Sequence, residues 1–209
     1  MLENEKWETS HYFREMFRET TEFPEDDRYT PWYSDIRLIS QITPYLLLGN
    51  ARAANPDILL EHGIRNVLTF SKYPAPSPRI YQNLDIAHYT FLLGDSNTPN
   101  PEPKEKLIRL IFPWLERAEK KGQAILIHCL GGVSRSPAFT ITLLMRSKGM
   151  TFPQARDRVV TCHPPTAPNP SVMQFFLECI EHALPEDYHD WYLKRLEEIL
   201  RAAKFLKKS

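Results

Sequence analysis

Ile127-His128-Cys129-Leu130-Gly131-Gly132-Val133-Ser134-Arg135-Ser136 is the stretch from which the rest of the chain can be read. It follows an apolar run, Ala124 to Ile127, that has the character of a buried strand. After it, Ser134 to Lys148 is mostly apolar and closed by Gly149, which suits a buried helix. A strand–loop–helix of this kind aims several backbone N–H groups and a helix N-terminus at one point, which favours an anion. Cys129 stands at the centre of that cradle, where the same positive potential favours its thiolate form. Arg135, six positions on, has a planar fork suited to two oxygens of a phosphate. A nucleophile and an anion-binding ring therefore coincide, as phosphoryl transfer to sulfur requires. Gly131 and Gly132 are expected to allow close backbone approach and positive φ.

Outward from this stretch, strand-like and helix-like segments alternate. Ile42 to Gly49 reads as a short hairpin or strand ending at glycine, and Pro56 to His62 as a helix stopped by Gly63. Arg65 to Phe70 and His88 to Leu93 read as strands, with a proline-rich loop, Tyr73 to Pro78, between them. Lys104 to Lys121 is an amphipathic helix with Leu107, Leu110, Ile111 and Leu115 on one face and a kink expected at Pro113. Thr151 with Gln154 forms a capping box for the next helix. Ser171 to Ala183 and the charged Glu186 to Leu206 complete the set. The alternation predicts an α/β fold: three layers, with a central, largely parallel sheet flanked by helices. Strand 124–128 should lie centrally, with Cys129 at its C-terminal end, where ligands bind in such sheets. The expected organisation is an N-terminal extension over 1–35, a catalytic domain over 36–183 and a C-terminal helical extension over 184–209.

Composition narrows the function. Lys plus Arg and Asp plus Glu are 26 each, so the net charge is zero and a nucleic-acid partner is not expected. No run of about 18 apolar residues occurs, so no membrane span is expected. The three cysteines, Cys129, Cys162 and Cys179, are odd in number and scattered, which points to a reducing compartment, cytoplasmic and also nuclear in reach. Neither His128-Cys129 nor Cys162-His163 has ligand-spaced partners, so no metal or other cofactor is expected.

His128-Cys129, five residues, then Arg135-Ser136 resembles the signature of protein tyrosine phosphatases, and the fuller His-Cys-x-x-Gly-x-Ser-Arg-Ser resembles their dual-specificity branch, here a small atypical member. The resemblance runs roughly from Ser40 to Ile180. Gly131 stands where the family usually has alanine, a departure that should loosen the loop slightly. Cys162-His163 stands where the family often has two basic residues, so an auxiliary positive rim is in doubt.

The resemblance implies roles. Cys129 is the nucleophile, Arg135 holds the phosphate with the loop Leu130, Gly131, Gly132, Val133 and Ser134, and Ser136 donates its hydroxyl to the sulfur. His128 and Asn169 are supporting residues: the histidine holds Cys129 in place, and the asparagine side chain bonds the cradle's backbone together with Ser134. Asp95, on a turn after strand 88–93, is the expected proton donor, and Asp85 the alternative. None of the loop's variable residues is basic, which favours a phosphorylated protein over an inositol phosphate. The implied activity is hydrolysis of phosphotyrosine and of phosphoserine or phosphothreonine through a cysteinyl-phosphate. A phosphate-recognising module with little turnover is the competing reading; a sulfurtransferase or arsenate-reductase-like enzyme is disfavoured by the His-Cys and Ser-Arg-Ser flanks.

Overall fold

A computed structural model describes residues 39–70, 78–94 and 102–206. The proposed extension over 1–35, positions 73–77 of the expected proline-rich loop and the expected acid Asp95 lie outside the described residues. Five strands form one sheet: β1 (Ile39–Gln41), β2 (Leu46–Gly49), β3 (Ile64–Phe70), β4 (Ala87–Phe91) and β5 (Ala124–Cys129). Their order is β1-β2-β5-β3-β4, with β1 antiparallel to β2 and every other pairing parallel. The strand that carries Cys129 is thus the middle one, flanked on both sides by parallel neighbours.

The helices are α1 (Pro56–Glu61), α2 (Pro78–Asn83), α3 (Lys104–Lys106 continuing through Leu107–Ile111 to Phe112–Lys120), α4 (Arg135–Lys148), α5 (Phe152–Cys162), α6 (Pro170–Glu178) and α7 (Tyr188–Leu206). They form the outer two layers. Side chains alternate across each strand. Leu46 and Leu48 of β2, Leu68 and Phe70 of β3, Phe91 of β4, and Ile125, Ile127 and Cys129 of β5 share a core with Phe112 of α3, Phe139 of α4 and Phe176 of α6. Leu47, Val67 and Leu126 face the other way, onto Leu59 of α1 and Tyr81 of α2. Phe70 sits 4.9 Å from Phe139 and 5.1 Å from Phe176, ring centre to ring centre, so the first core is aromatic at its middle.

Local chemistry accounts for most element ends. Asn55 caps α1 and Pro56 opens it, while Gly63, at φ +60, ends it. Gly149, at φ +64, ends α4, and Thr151 and Gln154 make the reciprocal capping box of α5. The kink expected at Pro113 takes a different form. The widened π turn Leu107–Ile111 lies just before it, a local widening of the kind that accompanies a proline inside a helix. The helix expected to reach Ala183 stops at Glu178. Among the described residues no helix is long and apolar enough to cross a membrane.

Candidate active site

The alternation of β5 separates the two signature residues at its end. Cys129 faces the α4 side of the sheet, and His128 the α1–α2 side. His128 Nε2 bonds Thr69 Oγ1 at 2.7 Å, and Thr69 Oγ1 in turn lies 3.2 Å from His88 Nε2. The register makes this possible, because Thr69 is paired with His128 on one side and Thr90 on the other. Burial, reinforced by the neighbouring His88, holds the His128 imidazole down at about 4, and burial holds His88 at about 4. Both rings are therefore neutral near pH 7. The His128 ring thus bonds a side chain on the neighbouring strand.

Cys129 is only 2% exposed, yet its sulfur is not surrounded by apolar groups alone. Sγ accepts a hydrogen bond from the Gly132 N–H at 3.2 Å and from the Ser136 hydroxyl at 3.2 Å. Both donors stabilise negative charge on sulfur. Between them the loop is tied from outside. Leu130 O accepts from the Ala51 N–H at 3.1 Å, Val133 O from the Ala167 N–H at 2.9 Å, and Gly132 O bonds His163 Nε2 at 2.9 Å. A trans peptide points its N–H opposite its C=O. Three carbonyls anchored outward thus leave the N–H groups of Gly131, Val133 and Ser134 turned inward, a nest suited to an oxyanion. The N-terminus of the 14-residue α4 points at the same loop and adds the positive end of its dipole.

Gly132 is the pivot of this loop. Its φ is +71, and a Cβ there would stand 3.1 Å from the backbone C and O of Gly49. The expectation of positive φ at Gly131 is not met: Gly131 is not among the positive-φ residues. One left-handed residue suffices to turn the loop, and it falls where the loop passes closest to the end of β2.

Arg135, 6% exposed, reaches across the site and donates from Nη1 to Leu93 O at 3.2 Å. Leu93 lies just beyond β4, so the guanidinium links the cradle to the segment that leads to Asp95. Asp85 is on the wrong end of the sheet. It precedes Ala87, which is level with Asn66 and Ile125, four residues and about 13 Å of strand from Cys129.

Asn169 departs from its expected role. Its side chain caps α6, with Oδ1 accepting from the Ser171 N–H and hydroxyl, and it is the Asn169 backbone N–H that donates to Ser134 Oγ at 3.1 Å. An Asn-Pro pair opening a helix spends the side chain on its own cap. His163, notable in the sequence only as a missing positive charge, is wholly buried, bonded to Gly132 O through Nε2 and to Ser40 Oγ through Nδ1 at 2.9 Å. A histidine following a helix in a proline-rich run carries no mark of a partner 123 residues away.

Residues 46–181 match the family described as "Dual specificity phosphatase, catalytic domain". Rat "Dual specificity protein phosphatase 12" is 33% identical over 126 residues, 59% of this chain and 36% of the relative. Mouse "Dual specificity protein phosphatase 19" is 29% identical over 140 residues, 65% of this chain and 59% of the relative. The chain thus spans between about a third and three-fifths of these relatives' length. Among solved structures, human DUSP28 superposes with a TM-score of 0.58 at 25% identity, covering 68% of this chain and 93% of that one. A mouse "putative dual specificity phosphatase complexed with zinc tungstate" gives 0.57 at 26% identity, over 68% of this chain and 85% of that one.

Proposed function

We propose that this chain, which belongs to the dual-specificity phosphatase family, removes phosphate from phosphotyrosine and from phosphoserine or phosphothreonine of proteins through a cysteinyl-phosphate. One observation carries the reading: Cys129 Sγ receives hydrogen bonds from Gly132 and Ser136 within a loop whose carbonyls are anchored outward.

The thiolate of Cys129 attacks phosphorus in line with the ester oxygen. The S–P bond forms, the P–O bond to the substrate breaks, and Asp95 gives its proton to the departing alkoxide or phenoxide. The three equatorial oxygens rest on the inward N–H groups, and Arg135 exchanges its bond to the Leu93 carbonyl for two of those oxygens. Asp95, now ionised, takes a proton from water as the water oxygen attacks phosphorus. The S–P bond breaks, inorganic phosphate leaves, and the Ser136 hydroxyl stabilises the returning thiolate. Leu130, Gly131, Gly132 and Val133 offer no extra cation, in keeping with a monophosphorylated side chain as substrate. Three free cysteines suit a reducing compartment such as the cytoplasm.

The test is turnover of p-nitrophenyl phosphate without added metal, with orthovanadate as inhibitor and Cys129→Ser as the decisive variant. Undiminished turnover by Cys129→Ser excludes the assignment. A wild-type chain that binds phosphate but releases no nitrophenol is instead a phosphate-recognising module.

A further inference from the structure

Three consecutive residues of the phosphate loop are held by one short segment of chain. His163 Nε2 bonds Gly132 O at 2.9 Å, the Ala167 N–H donates to Val133 O at 2.9 Å, and the Asn169 N–H donates to Ser134 Oγ at 3.1 Å. A carbonyl only accepts, so the proton of the His163 ring sits on Nε2. That bond fixes the Gly132–Val133 peptide with its oxygen outward and the Val133 N–H inward. The Thr166 hydroxyl closes a turn onto the His163 carbonyl at 2.7 Å, which stiffens the segment itself.

The segment is in turn held from behind by α7. The Tyr188 hydroxyl, buried in the core, donates to Pro168 O at 2.9 Å. The Arg195 guanidinium donates to Thr166 O at 3.3 Å and to Pro164 O. Both side chains come from beyond residue 181, where the match to the family ends. Phe152 and Trp191 pack against the Tyr188 ring at 5.8 and 5.2 Å, so the hydroxyl is aimed by the core.

We infer that His163 is a positioning residue of the phosphate loop, and that the terminal helix, through Tyr188 and Arg195, keeps the 163–169 segment pressed against that loop. Without the His163 bond the Gly132–Val133 peptide is free to turn. Its carbonyl then faces the anion and one donor is lost. The inference rests on the phosphate-binding reading of the loop. It adds that an element outside the family domain takes part in forming the site.

The experiment uses the full chain and two readouts. One is inhibition of p-nitrophenyl phosphate turnover by orthovanadate. The other is protection of Cys129 from iodoacetate by inorganic phosphate, followed by mass spectrometry, which needs no turnover. His163→Leu should weaken orthovanadate inhibition and phosphate protection by about tenfold, the equivalent of one well-placed hydrogen bond. His163→Gln, whose amide N–H reaches the same carbonyl, should restore most of both. Tyr188→Phe and Arg195→Met should each weaken both severalfold without loss of the folded state. A folded His163→Leu with unchanged orthovanadate inhibition and phosphate protection overturns the inference. If His163→Leu does not fold, unchanged half-protection by phosphate in both Tyr188→Phe and Arg195→Met overturns it. A wild-type chain with protection but no turnover sinks only the enzymatic reading, and the protection series still decides this one. A wild-type chain without protection overturns both.

Discussion

Thr69 Oγ1 sits between two imidazoles, 2.7 Å from His128 Nε2 and 3.2 Å from His88 Nε2, on the face of the sheet opposite Cys129. Three parallel strands are thereby cross-linked directly beneath the nucleophile. Both rings are neutral near pH 7, since burial holds each at about 4 against an ordinary 6.5.

Acid should weaken the fold before the carboxylates titrate. The unfolded chain takes up a proton on each histidine near 6.5, and the folded chain refuses it until about 4. Between these values the unfolded state binds more protons, so stability falls as pH falls. The loss is on the order of 3 kcal/mol for His128 and less for the partly exposed His88. Urea midpoints at pH 7 and pH 5 should capture about 2 kcal/mol of the His128 loss, because pH 5 lies only part of the way from 6.5 to 4. Thr69→Val should cost about 1–3 kcal/mol at pH 7 by stranding a buried ring nitrogen. A midpoint that is flat from pH 7 to 5 contradicts the account.

Gly132→Ala should be severe and Gly131→Ala mild. The first puts a Cβ 3.1 Å from the Gly49 backbone at φ +71; the second faces no positive φ. About 1–2 kcal/mol of strain is expected for the left-handed alanine, before any cost of the close contact. Turnover should fall far more in Gly132→Ala, because relieving the strain displaces the backbone N–H that donates to the sulfur. Thermal melts with p-nitrophenyl phosphate kinetics compare the pair, and equal effects would argue against Gly132 as pivot.

Ser136→Ala should slow release of phosphate from sulfur. A hydrogen bond to a charged group is worth about 1.5–3 kcal/mol, which corresponds to roughly 10–100-fold in rate. Rapid-quench measurements should show a burst of nitrophenol and an accumulating phosphoenzyme. Absence of the burst, with kcat unchanged, would remove Ser136 from the second step.

Asp95→Ala should lower kcat by about 10²–10⁴-fold on substrates with poor leaving groups, while Asp85→Ala should do little. The sheet register sets this contrast, because Asp85 lies at the end of β4 remote from Cys129, and β4 runs from there towards Leu93, whose carbonyl Arg135 holds. Kinetics on phenyl phosphate reveal the difference, and the reverse order of effects would reassign the acid.

Features set by neighbours in the chain were legible without coordinates. The apolar run before the two glycines announced a strand ending in a loop, Gly149 announced the end of α4, and Thr151 with Gln154 announced the start of α5. The helix ends rest on bonds spanning a few residues and the strand on its unbroken apolar run, so side-chain type and spacing suffice. The exchange at Asn169 shows where this fails. The resemblance implied a side-chain contact to the loop, but the competing local cap took the side chain and left the backbone to make the contact.

Residue order alone determined that a cysteine, an arginine and a serine would share one loop at a strand end, because that loop is continuous in sequence. Only the tertiary structure decided what holds the loop open: Ala51, His163 and Ala167 on its carbonyls, Leu93 on its arginine and Thr69 behind its strand. These partners come from segments far apart in the chain, and a hydrogen bond between distant segments leaves no periodicity or spacing in either one. It exists once the packed sheet and helices bring the two together.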